Sequence, residues 1–290
     1  MKNVKTYIPS LLLSILLVFS MLGISGLLVV RSFADSDKLT GLAEENKIVS
    51  TIQSELESYF SNKYNETGVP AEVYTAALTD EYIEKIVGLN INAGFERLDS
   101  GKFDNLTGRE NPELEESISI FFNDYADSIG YVKDDKYEEK LQKTIDSAYS
   151  VITDYCDIYK FRMMNSEGIL AKASKIYTRL DMIILAVAGA TVLLIVLLLL
   201  INIKSKLLVK YWVGISALVS GVIGISPCIY LNASRFFDAF VIKQPQIFKS
   251  FTGLLYGAVN SFMINQIILA AAGILLIVLF AVISKKIKTS

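Results

Sequence analysis

The sequence has no histidine among its 290 residues, and it has only two cysteines, five prolines and one tryptophan. Without histidine there is no Ser-His-Asp triad, no histidine metal ligand and no histidine that accepts a phosphoryl group. The sequence also lacks a P-loop and a glycine pattern typical of dinucleotide binding. We therefore expect neither an enzymatic activity nor a cofactor.

The remaining candidate cation ligands are isolated acidic pairs, and they predict no metal site. Carboxylates on an exposed helix face are usually solvated charge, and the acidic, glycine-containing segment 99–110 does not have the spacing of an EF-hand loop. The pairs are Asp134 with Asp135, Glu138 with Glu139, and Asp154 with Asp157.

The two cysteines predict no disulfide framework. Cys156 falls in a polar region of the chain and Cys228 in an apolar block. Two cysteines so placed do not meet the Cα separation that a disulfide requires. We expect packing alone to hold the fold.

Long apolar runs are what the sequence has in abundance. The chain is 52% hydrophobic with a mean hydropathy of +0.43. The apolar residues concentrate in four blocks, at 8–30, 182–203, 213–231 and 267–284. A helix needs about 20 apolar residues to cross a bilayer core. The pattern predicts an all-α membrane protein with four transmembrane helices.

The first block raises the question of whether it is cleaved. Ser32-Phe33-Ala34 has the small-x-small form of a signal-peptidase site. The apolar region of a signal peptide has about 7–15 residues, whereas this block is longer and Arg31 lies between it and the site. We interpret the block as an uncleaved anchor. The alternative is a long signal peptide, which would leave three spans.

Basic residues beside the apolar blocks predict the orientation in a plasma membrane. The short segments before the first block, between the second and third, and after the fourth carry lysine and no acidic residue, which is typical of cytoplasmic segments. Both termini are then cytoplasmic, and residues 32–181 are extracytoplasmic. These lysines are Lys2, Lys5, Lys204, Lys206, Lys210, Lys285, Lys286 and Lys288.

The region between the first two blocks is acidic. Residues 32–180 hold 28 Asp and Glu against 16 Lys and Arg, a balance of −12. An acidic surface is a poor candidate for nucleic-acid binding. We expect membrane lipid, another membrane protein or a second copy of the chain as partners, and no nucleic acid. The composition, rich in Lys, Ile and Asn, is typical of low-GC bacteria.

Apolar spacing in this region predicts a helical bundle. Leu42, Val49 and Leu56 repeat every seven residues on a helix that begins close to the first block. One or two shorter helices follow over 73–90, with Thr79 as an internal cap, and a loop over 92–111. Asn111 and Pro112 have the chemistry of an N-cap and a first helical residue.

The last part of the region predicts one very long helix. Apolar residues recur at three- and four-residue steps from Tyr137 to Leu180, and no proline interrupts the run 134–203. A single helix of more than 60 residues would join the bundle to the second span, with Gly168 as its weak point.

This architecture resembles the extracytoplasmic helical-bundle sensor domains of bacterial chemoreceptors and related receptors. The likeness covers residues 8–203 and implies sensing by the outer domain. Such receptors continue into a large cytoplasmic signalling region, whereas this chain turns back into the membrane. A second resemblance, over the whole topology, is to ABC permeases with four spans and a large outer loop, which implies a separate ATPase. Those proteins usually have a longer coupling segment than the link KSKLLVKY found here.

Small residues predict where helices pack. Ala217 and Gly221 are four residues apart, and Gly224 continues the face. Gly253 and Gly257 have the same spacing in the outer link 232–264, which we interpret as an amphipathic helix on the outer leaflet; a re-entrant helix is the alternative. The packing faces are assigned to contacts within the chain, with a homo-oligomer as the alternative.

Tyrosine is concentrated outside the apolar blocks, since eleven of the fifteen lie in residues 32–180. Tyr149, Tyr155 and Tyr159 follow one another on the expected long helix. They are the candidates for a ligand or partner surface, and core packing with hydroxyls at the rim is the alternative.

The sequence thus divides into five segments, which are 1–31, 32–181, 182–231, 232–264 and 265–290. These are the first span with its tail, the extracytoplasmic domain, spans two and three with their cytoplasmic link, the outer loop, and the fourth span with a basic tail. The expected function is extracytoplasmic sensing or scaffolding through the helical domain, without catalysis. The alternative is a permease-like subunit of an ABC-type complex.

Overall fold

Every regular element of the residues that the computed structural model describes, 4–103 and 107–289, is a helix. Side chains are described for residues 6–103 and 107–286. The α-helices are α1 Val4–Phe33, α2 Ser36–Glu45, α3 Ile48–Thr67, α4 Ala71–Thr75, α5 Asp80–Asp99, α6 Pro112–Ile129, α7 Asp135–Cys156, α8 Phe161–Ser166, α9 Ile169–Tyr177, α10 Leu180–Ile201, α11 Leu207–Ala233 and α12 Pro245–Thr289.

The described chain forms two compact units. The first, here called the four-helix unit, comprises residues 4–34, 179–239 and 255–289. The second, here called the helical domain, comprises residues 35–178 and 240–254.

Four helices are long and apolar enough to cross a membrane, as the sequence predicted. They are Thr6–Phe33, Leu180–Ile201, Leu207–Ala233 and Pro245–Lys286, and an 18-residue window within each has a mean hydropathy of 2.5, 3.2, 1.8 and 3.0 respectively. A helix rises about 1.5 Å per residue, so even the 22 residues of Leu180–Ile201 match a hydrocarbon core of about 30 Å.

Within the four-helix unit, polar side chains join α1 to α10 in antiparallel register. The two residue numbers of each contact add to 211 or 212, so later residues of α1 contact earlier residues of α10. Hydroxyl and amide pairs of this kind stabilise helix contacts in lipid. The pairs are Ser10 with Asn202 at 2.9 Å, Ser20 with Thr191 at 2.6 Å, and Arg31 with Asp181 at 2.9 Å.

The fourth apolar helix is longer than the sequence suggested. The outer link 232–264 was expected to form an amphipathic helix separate from a span that begins near residue 265. In the structure, residues 245–264 of that link open the 45-residue helix α12, which runs unbroken to Thr289. No proline follows Pro245, so every later residue of α12 has the backbone N–H that a continuous helix requires.

In the helical domain, the predicted helix starts of α5 and α6 are confirmed. The Thr79 hydroxyl accepts a hydrogen bond from the Tyr82 amide at 3.2 Å. The Asn111 side chain accepts from the amides of Glu113 and Leu114, and Pro112 is the first residue of α6. Both caps satisfy amides that have no partner inside the helix.

The prediction of a single long helix over 134–203 is wrong. The chain breaks after Cys156, where the Asp157 carboxylate accepts the amides of Phe161 and Arg162 at 2.8 and 3.0 Å and so starts α8. Gly168, with φ of +70°, separates α8 from α9. The expected loop over 92–111 is also shorter, because α5 continues to Asp99; residues 104–106 lie outside the described residues.

The core of the helical domain consists of branched aliphatic side chains from α3, α5, α6 and α7. Ile52, Leu56 and Ile83 have no exposed surface, and Ile118 has none either. The first turns of α12 join this core, since Phe251 packs on Tyr159 with ring centroids 6.2 Å apart. This core fixes the directions of the helices around the candidate site.

Candidate ligand-binding groove

A groove of about 870 Å³ opens on the helical domain between α3, α4, α6 and α7. Eight aromatic side chains line it, and we call it the aromatic groove. They are Tyr59, Phe60, Tyr74, Phe121, Phe122, Tyr125, Tyr131 and Tyr137.

Helical periodicity explains why these residues converge. The α3 residues in the groove recur at three- and four-residue steps from Tyr59 and Phe60 to Lys63 and Glu66, and thus share one face. On α6 the same spacing runs from Phe121 to Ile129, and on α7 from Tyr137 to Val151. Each helix therefore has one face toward the core and an adjoining face toward the groove.

The aromatic rings are fixed by one another. Phe60 and Tyr74 stack with centroids 4.2 Å apart and planes inclined by 12°. Phe122 and Tyr137 meet edge to face at 6.4 Å, and the Tyr137 hydroxyl donates to Asn123 Oδ1 at 3.0 Å. Such pairs contribute stability beyond the apolar area that they bury. Contacts within the domain thus fix the floor of the groove.

The outer side of the groove exposes apolar surface. Tyr125 is 59% exposed and Ile129 57%, and Tyr131 beyond the end of α6 is 43% exposed. Single exposed apolar residues are ordinary on a protein surface. Three of them bordering one aromatic cavity favour a contact with something apolar.

Three lysines and one glutamate are the charged residues of the lining. Lys63 Nζ lies 2.6 Å from Glu66 Oε2, and Lys143 Nζ lies 2.6 Å from Glu139 Oε1 on the outer face of α7. The hydrogen bond to Glu66 raises the pKa of Lys63. Lys140 is exposed and has no ion-pair partner within residues 6–103 and 107–286.

Burial raises the pKa of two tyrosines of the groove, Tyr74 and Tyr137. Burial raises the pKa of Tyr74 to about 12, and the neighbouring Tyr59 acts in the same direction. Burial also raises the pKa of Tyr137. Their hydroxyls therefore keep their protons and add no negative charge to the lining.

The chemistry of the lining suits binding. Its reactive groups are hydroxyls, ammonium groups and one carboxylate, and the lining contains no cysteine. Across the part of the chain that the structure describes, no group of three or more Cys, Asp or Glu side chains is arranged to hold a metal ion. Flat apolar surface with a few charged groups is the usual composition of a small-molecule site.

The three tyrosines singled out from the sequence lie elsewhere. Tyr149 is buried, and its hydroxyl accepts the Asn111 amide at 2.8 Å and lies 2.8 Å from Glu115 Oε1. Tyr159 is buried against Phe251. Both positions pack in the core, but their hydroxyls form buried hydrogen bonds and do not lie at the rim, as the alternative expected.

Tyr155 is half-buried and lies beside the groove. Its ring centroid is 5.7 Å from that of Tyr59, which lines the groove. Tyr155 itself lines a second, shallower depression of about 660 Å³, which includes Asp154, Lys160 and Arg162. The structure thus brings one of the three predicted contact residues next to the groove and none into it.

The small residues expected to pack helices fall in both units. Gly221 lies against Ala270 of α12, Ala217 is buried, and a Cβ on Gly224 would lie 2.6 Å from the Gln266 side chain. In the helical domain, Gly253 lies against the side chain of Asn46. Gly257 belongs to the four-helix unit and is half-buried on α12.

Sequence reasoning missed the aromatic groove. Its residues are spread over positions 59–151, on four helices and the turns beside them, and their aromatic character resembles that of core residues. The detectable signal was the spacing of aromatic residues three or four positions before a lysine, Tyr59 and Phe60 before Lys63 and Tyr137 before Lys140. Comparison with protein-family models, with curated proteins and with solved structures finds no match for the chain.

Proposed function

We propose that this chain is a non-enzymatic, membrane-anchored binding protein whose helical domain captures a ligand outside the cytoplasm. The observation that carries the proposal is the aromatic groove. Its volume of about 870 Å³ falls within the range of small-molecule sites, roughly 300–1,000 Å³. A preorganised floor lowers the ordering cost of binding, which favours affinity.

The distribution of basic residues supports the orientation. Lysines flank the apolar helices at the N-terminus, at the link between α10 and α11, and at the C-terminus. Positive charge favours the cytoplasmic side of a plasma membrane. We therefore propose that both termini are cytoplasmic and that residues 32–181 are extracytoplasmic.

The proposal assigns the output to a membrane partner or to a second copy of the chain. The link between α10 and α11 is little more than the short 3₁₀ helix Ile203–Ser205. A segment of that length has no room for an output domain, and it is a poor docking element for an ATPase. Sensing or scaffolding would therefore act through a neighbouring protein in the same membrane, which responds to binding in the groove.

Two variants that each add one exposed cysteine test the orientation. Ser50 in α3 and Ser205 in the link are both exposed, and both native cysteines are buried. A membrane-impermeant maleimide applied to intact cells should label Ser50→Cys, and should label Ser205→Cys only after lysis. Labelling of Ser205→Cys alone in intact cells would reverse the orientation.

A pair of photo-crosslinking variants tests occupancy of the groove. Ser147 and Ser150 are exposed residues of α7, and only Ser147 lines the groove. The photoreactive amino acid p-benzoylphenylalanine is incorporated at each position in living cells. We expect mass spectrometry to show a crosslinked adduct of one defined mass at 147 and none at 150. Equal adducts at both positions would show that the groove is not the binding site. Recovery of an ATPase in fixed ratio with the chain would instead favour a permease subunit.

A further inference from the structure

The charge of the aromatic groove is opposite to that of its surroundings. Residues 32–180 carry a balance of −12, whereas the groove lining has three lysines against the single Glu66. Positive charge in a concave site attracts anions and repels cations. The groove is therefore the place on an acidic domain where a negatively charged ligand is favoured.

The ion pairs of the lining limit how much negative charge fits. Lys63 and Lys143 each have a carboxylate oxygen at 2.6 Å, from Glu66 and Glu139 respectively. Those two ammonium groups are already compensated. Of the three lining lysines, Lys140 alone has no ion-pair partner among the described side chains, so the lining has one uncompensated positive charge.

The rest of the lining requires an apolar body. The stacked Phe60 and Tyr74 and the edge-to-face Phe122 and Tyr137 form extended aromatic surface. Flat rings bind aromatic or alicyclic groups by offset or edge contacts. A small inorganic anion would leave this surface uncovered.

We infer, on the premise that the groove is a binding site, that its ligand is an amphipathic organic anion. The molecule has an aromatic or alicyclic body that covers the rings and one acidic group that pairs with Lys140. Its size is that of a metabolite or signalling compound, since the groove holds about 870 Å³.

Two fluorescent probes with the same aromatic body test the inference. 8-Anilinonaphthalene-1-sulfonate is anionic, and N-phenyl-1-naphthylamine is its counterpart without the sulfonate. Both are titrated against the full chain in nanodiscs, with empty nanodiscs subtracted. The variants are Lys140→Gln with Lys136→Gln as its control, and Ser147→Trp with Ser150→Trp as its control. Lys136 and Ser150 are exposed on α7 outside the groove lining.

We expect Lys140→Gln to weaken binding of the sulfonate about fivefold, the size of an exposed ion pair, and to leave the neutral probe unchanged. The loss should shrink at high salt, because salt screens exposed charges. Ser147→Trp should abolish binding of both probes, and the two control variants should behave as the parent chain. Continued protection of the buried Cys156 thiol shows that each variant is folded.

The contrary outcomes separate the two proposals. If Ser147→Trp blocks both probes but Lys140→Gln affects neither, the groove binds ligands and the anionic class is refuted. If Ser147→Trp leaves the binding of both probes unchanged, or if neither probe binds, the groove is not the binding site and both proposals fail.

Discussion

Replacing Gly221 by alanine should force α11 away from α12 in the four-helix unit. A Cβ at Gly221 would lie 2.6 Å from the Ala270 Cβ, 2.7 Å from the Gln266 carbonyl oxygen and 2.9 Å from the Ala270 amide nitrogen. Carbon atoms normally approach to about 3.5–4.0 Å. The obstructing atoms are backbone and Cβ, which no side-chain rotation moves. The two helices must therefore separate by about 1 Å.

The cost of that separation is about 1–3 kcal/mol, the usual penalty for inserting a methyl group into a packed interface. The separation also loosens the neighbouring contact between Gly214 and Gly273. These two glycines are so close that a Cβ on Gly214 would lie 3.0 Å from the Gly273 carbonyl oxygen. Dispersion attraction falls steeply with such gaps. A penalty of 1.4 kcal/mol raises the population of the opened form tenfold.

The buried thiol of Cys228 on α11 reports this opening. It is 3% exposed, and Cys156 in the helical domain has no exposed surface. In nanodiscs, with a thiol reagent in excess and peptide mass spectrometry as the readout, Gly221→Ala should label Cys228 about tenfold faster. The labelling rate of Cys156 should remain unchanged, so one sample contains its own control.

Gly189→Ala is the matched control, since a Cβ there meets no atom within 4 Å. Alanine also has the higher helix propensity, so Cys228 should label no faster than in the parent chain. Equal labelling rates in Gly221→Ala and Gly189→Ala would refute the close approach of α11 and α12.

Three further predictions concern the helical domain, and denaturant unfolding followed by circular dichroism measures each. Burial raises the pKa of Tyr159 to about 12, so the folded chain keeps a proton that the unfolded chain releases. Stability should therefore fall as pH rises from about 10 to 12, by roughly 2–3 kcal/mol for this group, and Tyr159→Phe should show a smaller fall. Asn111→Ala should cost about 2–3 kcal/mol, because it removes the cap of α6 and the bond from Asn111 Nδ2 to the buried Ala77 carbonyl; an unchanged unfolding midpoint would contradict this role. Gly68→Ala should cost about 1 kcal/mol, since φ is +71° while the space around the position is open; a stabilised variant would show that the turn rearranges.

The elements predicted well from the sequence are those set by local chemistry. The four apolar helices follow from the lengths of the apolar runs alone, because a helix forms all its backbone hydrogen bonds within its own segment, as lipid requires. The starts of α5 and α6 follow from Thr79 and from the Asn111-Pro112 pair, since each cap needs only the residues that follow it.

The breaks in the helical domain could not be predicted in the same way. Residues 157–160 contain neither proline nor glycine, and the apolar spacing continues across them. The chain turns there because Lys160 adopts a φ of +57° and the buried Asp157 carboxylate accepts two amides. Burial raises the pKa of Asp157 in spite of those hydrogen bonds. A buried carboxyl group at such a turn is a tertiary feature, so the spacing pattern does not reveal it.

The same distinction separates the tyrosines of the core from those of the groove. Tyr149 and Tyr159 repeat on the apolar pattern of their segment and are buried, so burial alone accounts for them. Tyr137 is equally buried, yet it also lines the groove. Helical spacing assigns a residue to a face, whereas the neighbouring helices decide whether that face is covered. The case for ligand binding therefore rests on the uncovered faces of α3, α6 and α7, and not on the abundance of tyrosine.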